Sequence, residues 1–274
     1  MFNLTRLRAT AGALGMAAGY GAGQLSAPLA EAKADKERKN VVVVGGGAAG
    51  LSVASMLLRK GCDVVVVEPA EFHYYQPGWT LVGGGVMPAE QTRRPMSKVM
   101  PSKATWIKDS VKSFDPDANS LTLASGKTVG YDYLVVAAGL SVDFARIKGL
   151  AEAVGHDGVS SIYDYSHAQA TWRDVQAMKE GVAIFTQPSS GVKCGGAPQK
   201  IMWLAEDYWK NIAKVRDAVR IEFHTGIASM FGVEKYRNTL DKMREARHVD
   251  AFFKHELIEV DGKRKQVSKK KKKN

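Results

Sequence analysis

The sequence predicts an α/β fold made of two nested β-α-β units, with a β-meander between them and the first unit incomplete. Three patterns carry that expectation. A valine run opens on a glycine loop near residue 45. Short strands then lead into a strand that ends Ala-Ala-Gly at Gly139. From residue 181 a strand, a helix and a further strand follow again. A length of 274 residues suits one or two domains at about 150 residues each.

In the first unit, Val41–Val44 are four β-branched residues, the signature of a strand buried on both faces. Gly45, Gly47 and Gly50 follow in the spacing G-x-G-x-x-G. Residues 51–60 read as a helix with Leu51, Ala54, Leu57 and Leu58 on one face, ended by Gly61. Residues 63–67 form a second buried strand with Glu68 at its end. Each part has a physical task in a Rossmann-like dinucleotide site. Gly45 allows the tight turn, Gly47 lets a diphosphate approach the backbone, and Gly50 permits close helix–strand packing. The helix N-terminus faces the phosphate charge, beside Ala48 and Ala49. Glu68 can bind both ribose hydroxyls of an adenosine and would repel a 2′-phosphate. Strand, loop, helix and acid together are far more specific than the glycines alone.

Residues 105–114 and 120–128, with a turn at Asp115-Pro116-Asp117, read as a β-meander. Residues 131–139 then form a strand closing on Gly139. In the second unit, residues 182–186 are a strand, and Ile201, Leu204, Ala205 and Tyr208 mark one face of a helix. Residues 219–225, 234–247 and 251–260 continue as strand, helix and strand. No second G-x-G-x-x-G follows Thr186. Cys194 stands there instead, just before a helix. The helix dipole and the charge of Lys193 would both favour its thiolate, and Cys194 reads as reactive. Cys62, between the first helix and the next strand, reads as a packing residue. The six histidines show no metal-ligand spacing, and no metal is expected.

The net charge of +11 resides in the chain ends: +3 in residues 1–40 and +8 in residues 263–274, around a neutral middle. That distribution argues against a nucleic-acid groove. The acid-free first thirty residues, with Arg6 and Arg8, read as a mitochondrial transit peptide. A weak secretory signal and a plain extension are the rivals. Residues 269–273 are a lysine run, expected to be a solvated tail that does not pack. A polybasic membrane patch, or an unrelated tail in place of a continuation, are the other readings. No run of eighteen apolar residues suggests a membrane-spanning helix. The expected division is residues 1–38 as transit peptide and linker and 39–160 as the first dinucleotide-binding domain. Residues 161–262 form the second domain, with the cysteine, and 263–274 a basic tail.

The order of unit, meander and Ala-x-Gly strand resembles flavoproteins with two dinucleotide-binding domains, in which the first fingerprint holds FAD. Val67-Glu68-Pro69, the segment 73–83 (His-Tyr-Tyr-Gln-Pro-Gly-Trp-Thr-Leu-Val-Gly) and the segment 192–202 (Val-Lys-Cys-Gly-Gly-Ala-Pro-Gln-Lys-Ile-Met) narrow it further. They resemble sulfide:quinone oxidoreductases of the eukaryotic mitochondrial type. The resemblance implies FAD at the adenine side near the Val111 backbone, with Gly139 near the diphosphate and Gln76 in a flavin-contacting segment. It implies that Cys194 is the first redox cysteine, carrying a persulfide. Hydrogen sulfide, ubiquinone and a small thiol sulfur acceptor are the implied partners. The implied location is peripheral, at the mitochondrial inner-membrane surface. Trp79 is a candidate to wall the flavin, with simple packing the commoner role for such an aromatic, and Lys200 either supplies charge near the site or only solvates a helix.

The resemblance also implies a second redox cysteine, a returning half of the FAD domain and a quinone pocket, which these 274 residues do not contain. The chain is therefore expected to be truncated and inactive alone. The alternatives are a non-catalytic FAD-binding remnant and an NADH:quinone flavoprotein; the missing second fingerprint argues against the latter.

Overall fold

The computed structural model describes residues 38–189 and 192–271, and the compact unit begins at Arg38. The transit-peptide reading falls outside the described residues.

Strand β1 (Asn40–Val44) runs into the glycine loop, helix α1 (Ala48–Arg59) follows, and β2 (Asp63–Val67) lies parallel to β1. Residues 72–83 form strand β3 (Phe72–Tyr74) and helix α2 (Gly78–Gly83). Strand β4 (Arg93–Pro95) pairs with β3, and the short helix α3 (Met96–Val99) follows. Residues 105–114 are not one meander strand. Strand β5 (Thr105–Ile107) joins the parallel sheet beside β2, and the meander proper is β6 (Val111–Asp115), β7 (Ser120–Leu123) and β8 (Thr128–Gly130). The break falls at Asp109, whose carboxylate accepts from the backbone N–H groups of Ser110 and Ser125 and turns the chain. Strand β9 (Tyr133–Val136) completes a four-stranded sheet of order β5-β2-β1-β9.

The valine run works on both faces of this sheet. Val41 and Val43 pack with Ala54 of α1, while Val42 and Val44 pack with Leu121 and Leu123 of the meander. Alternation along the strand sends successive side chains to opposite faces. Val42 and Val43 are fully buried, each worth about 1.5–3 kcal/mol of transfer free energy.

Helices α4 (Leu150–Ala153) and α5 (Tyr165–Ala177) lead into the second lobe. Asp164 caps α5, its carboxylate accepting from the Ser166 N–H at 2.7 Å. There, β10 (Gly181–Gln187), helix α6 (Ala197–Asp207), β11 (Val219–Thr225), helix α7 (Glu234–Ala246) and β12 (Val249–Phe253) build a parallel sheet of order β10-β11-β12. Met202 and Ala205 of α6 pack with Ile221 and Phe223 of β11, with Trp209 just beyond α6. The expected strand 251–260 is interrupted. Lys254 takes φ +58°, and β13 (His255–Asp261) leaves the sheet to pair antiparallel with β14 (Gln266–Lys271).

That last strand departs from the expected solvated tail. Side chains alternate along it, so Val267 and Lys269 turn inward while Lys270 faces water. Lys269 Nζ lies 3.7 Å from Glu222 Oε2 on β11. Among the described lysines of the run, Lys269 turns inward and meets an acid, while Lys270 and Lys271 are exposed. Among the described residues no helix is long and apolar enough to cross a membrane.

Candidate functional site

The C-terminal end of β1 gathers the glycine loop. Gly45 takes φ +103°, which glycine alone adopts without strain, and lies against the backbone of Ala137 after β9. Gly50 is buried, and a side chain there would run into the Gly45 carbonyl. Gly47, Ala48 and Ala49 are exposed at the start of α1. Gly47 caps the helix with no side-chain hydrogen bond, and the first turn holds no acid. Its amides are therefore open to an anion. A Cβ on Gly47 would meet nothing within 4 Å, so open space lies where a diphosphate would rest.

Glu68 stands at the end of β2, half-buried. Its Oε2 accepts from the Gly46 N–H at 2.6 Å and its Oε1 from the Ala70 N–H at 2.7 Å. A carboxylate has about four lone-pair sites, so capacity remains for ribose hydroxyls. Trp106, which the sequence reading does not single out, and His73, read there as structural or surface, brace this corner. The Trp106 indole N–H donates to the Glu68 carbonyl at 2.9 Å, and His73 Nδ1 lies 3.1 Å from the Gly46 carbonyl oxygen. Spacing gives no hint of either; they meet the loop through the β2–β5 pairing and the β3 return. Val111 packs with Val44 and Val67, at the same end of the sheet as the loop. Gly139, at φ +72°, is exposed two residues beyond Ala137. Open amides, space at Gly47 and a placed acid together fit the adenosine diphosphate half of FAD.

Cys194 is exposed with a free thiol, three residues ahead of α6. Its carbonyl accepts from the Ala197 N–H at 3.2 Å and from the Tyr163 hydroxyl at 2.9 Å. The Lys193 ammonium reaches across the molecule. It donates to Gln76 Oε1 at 3.0 Å and to the Tyr163 carbonyl at 3.1 Å, and sits 4.9 Å from the Trp79 ring centroid. Partial burial pulls the Lys193 pKa down, against the opposing charge of Asp164. Gln76 is thus brought to the cysteine turn from 117 residues away in sequence. Trp79 is 5 % exposed in α2 and packs with Val82, Ala89 and Ala168, as the packing reading of this residue expects.

Cys62 sits just before β2, at the opposite end of the strand from Glu68, packed near Leu57 and Leu58. Five strand residues at about 3.3 Å each separate it from the loop. A cavity of about 320 Å³ is lined by Val82, Met87, Gln169 and Trp172 among others, and none of the expected site residues borders it.

Residues 39–274 match the family described as Pyridine nucleotide-disulphide oxidoreductase. "Sulfide:quinone oxidoreductase, mitochondrial" of Dictyostelium discoideum is 48% identical over 246 residues, covering 87% of this chain and 54% of that protein. The protein of the same name from Mus musculus is 42% identical, covering 82% and 50%. The solved sulfide:quinone oxidoreductase of Aquifex aeolicus superposes with a TM-score of 0.69 at 22% identity, over 84% of this chain and 56% of that one. At that identity the likeness shows the fold. The chain spans about half the length of the curated relatives it matches.

Proposed function

The chain belongs to the pyridine nucleotide-disulphide oxidoreductase family, whose members are FAD-binding flavoproteins, and from that premise we propose that it is the sulfide-handling half of a sulfide:quinone oxidoreductase. In this reading the cofactor is FAD. The loop amides of Gly47, Ala48 and Ala49 take its diphosphate, with Gly45 and Gly50 shaping the turn. Glu68 takes the ribose hydroxyls, and Val111 and Gly139 flank the adenine and diphosphate. Gln76 stands near the flavin. FAD supplies a two-electron acceptor; the chain's own residues supply binding, orientation and a sulfur nucleophile.

Residues 39–160 serve as the cofactor domain and 161–262 as the cysteine domain, with 263–274 as a basic appendage. The observation that carries the proposal is the turn after β10. Where a nicotinamide-binding unit has a phosphate loop, this chain presents an exposed cysteine, tied through Lys193 to Gln76 of the first lobe. In the whole reaction, sulfide sulfur ends as sulfane sulfur on Cys194. The two electrons it loses pass to a quinone, which also takes two protons. A small thiol then removes the sulfane sulfur as the Cys194 thiolate leaves. A lipid-soluble quinone requires access to a membrane surface. The names of the relatives support a mitochondrial location, here proposed as the inner-membrane surface.

The test uses the FAD-loaded chain with inorganic polysulfide, whose sulfane sulfur a thiolate can take without a further oxidant. Cys194 is expected to gain about 32 Da, the mass of a persulfide sulfur, and Cys62 to gain none. Cys194→Ser should bind FAD unchanged and gain nothing. NADH should leave the flavin oxidised. Equal labelling of both cysteines, or rapid flavin reduction by NADH, would count against the reading.

A further inference from the structure

Three segments distant in sequence meet at one turn. Tyr163 lies just ahead of α5, Gln76 and Trp79 lie at the start of α2, and Lys193-Cys194 lead into α6. The Tyr163 hydroxyl donates to the Cys194 carbonyl, and the Tyr163 carbonyl accepts from Lys193. One residue thus holds the cysteine and its neighbour at both ends of the same two-residue step. The Tyr163 ring packs against Ile162, Ala197 and Ile201, so its position is set by the base of α6 itself. Lys193 then carries the restraint onward to Gln76 and the Trp79 ring.

We infer that Tyr163 is a positioning residue for the sulfur-bearing turn, with Lys193 as the second tether that fixes the turn against α2. The inference rests on the reading of Cys194 as the sulfur carrier. It adds that the sulfur's place is set by a phenol and an ammonium neither of which bonds the sulfur. Sulfur transfer demands a thiolate at a fixed distance and angle from its partner, and a misplacement of about 1 Å costs on the order of 10²-fold in rate.

The chemistry suits a permanent tether. Burial, and then the nearby charge of Cys194, push the Tyr163 pKa up to about 12. The phenol therefore stays protonated, and stays a donor, throughout the range in which a thiol titrates.

Two measurements on the full chain test this. The first is amide hydrogen exchange at Ala197 and Lys200, whose N–H groups donate to the Cys194 and Gly196 carbonyls. Tyr163→Phe removes only the hydroxyl and should speed exchange there by about fivefold or more, the range of one lost hydrogen bond. Lys193→Met should do the same, and Lys193→Arg, which keeps donors for both acceptors, should restore protection. Exchange in β1 and β11 should not change, which separates loss of the tether from general unfolding. The second is a pH titration of ¹³Cζ-labelled tyrosine, with the Tyr163 signal assigned from Tyr163→Phe. Its midpoint near 12 should fall in Cys194→Ser, because the thiolate charge is gone. A structural ring with no coupling to the thiol would not move. Unchanged exchange in both Tyr163→Phe and Lys193→Met, or an unmoved Tyr163 midpoint in Cys194→Ser, overturns the proposal. Failure of wild-type Cys194 to take sulfur from polysulfide instead defeats the functional reading, since neither measurement here uses polysulfide.

Discussion

Gly47 and Gly50 belong to one loop, yet a methyl group added at each meets different things. At Gly50 it runs into the Gly45 carbonyl, so the loop and α1 must separate. At Gly47 it enters open space at the mouth of the helix. Gly50→Ala should therefore destabilise the folded protein, by about 1–3 kcal/mol as for overpacking. Gly47→Ala should leave the melting temperature of the FAD-free protein within about 1 °C, a surface-like effect, and lower FAD affinity by about tenfold or more. Flavin fluorescence titration and thermal melts of both variants check this; equal FAD affinity in Gly47→Ala and wild type would remove the loop from the site. The same contrast explains what was legible at this scale. The glycines, Ala48, Ala49 and Glu68 form a local pattern whose spacing alone implies contact. The bond from Lys193 to Gln76 joins residues 117 apart, and nothing in either segment's own pattern announces the other. His73 and Trp106 were illegible for the same reason: each touches the loop only because separate strands return beside it.

At the scale of elements, the strands were read best where β-branched residues filled both faces, as in β1 and β2. Helix α5 was missed because Val175 is its one larger buried apolar residue; Ala168, Ala170 and Thr171 add little apolar periodicity. Helix α2 was missed because it is six residues long and follows a proline. How α6 and α7 hold together was also invisible, since it rests on an ion pair whose carboxylate is buried and whose arginine is partly exposed. Glu206 near the end of α6 is 1 % exposed, and its Oε2 accepts from Arg247 Nη1, just past α7, at 2.7 Å. Arg216 Nε is 3.8 Å from the other carboxylate oxygen. Arg247→Met leaves the buried carboxylate with this weaker partner. The expected loss is about 3 kcal/mol, the low end for breaking a buried pair. For a unit of this size that corresponds to about 6–12 °C in melting temperature. Adding Glu206→Leu should recover most of it, because a buried pair replaced as a whole is often neutral. A double variant that melts as low as Arg247→Met would mean that the arginine matters through its place over the Trp203 ring, 5.6 Å from the centroid, rather than through its pair with Glu206.

For the molecule as a whole, the second sheet is closed on one face by α6 and faces the β13–β14 hairpin on the other, and that second contact is built from charged groups and packed rings. Ile221 and Phe223 of β11 point into the core, whereas Glu222 and His224 point at the hairpin. The His224 ring is 4 % exposed and stacked on Phe252 at 4.3 Å, with His255 edge-on at 5.9 Å. Its Nε2 lies 2.7 Å from Glu222 Oε2 and 2.9 Å from Lys269 Nζ. Nδ1 is buried without a partner among the described residues. Protonation would create a second buried N–H with no acceptor, beside an ammonium. Burial, followed by the charges of Lys269 and His255, holds the His224 pKa below its ordinary value, and the hydrogen bond to Glu222 only partly opposes this. Burial pushes Glu222 up, but His224, Lys269 and Arg220 together outweigh it and leave its pKa low. The sign follows from proton counting. Below the unfolded histidine value of about 6.5, the unfolded chain binds a proton at His224 that the folded chain refuses, so stability falls as pH drops. The loss ends once pH passes below the depressed folded value. Glu222 contributes a separate loss beginning only near the unfolded carboxylate value of about 4.3. Thermal melts from pH 7.5 to 5.5 should therefore show a decline that shrinks in His224→Gln, which cannot take up a proton. Lys269→Gln removes the neighbouring ammonium, raises the folded His224 value toward the unfolded one, and should shrink the decline as well. An undiminished slope in both variants would place the pH sensitivity elsewhere and leave the hairpin contact indifferent to the charge on His224.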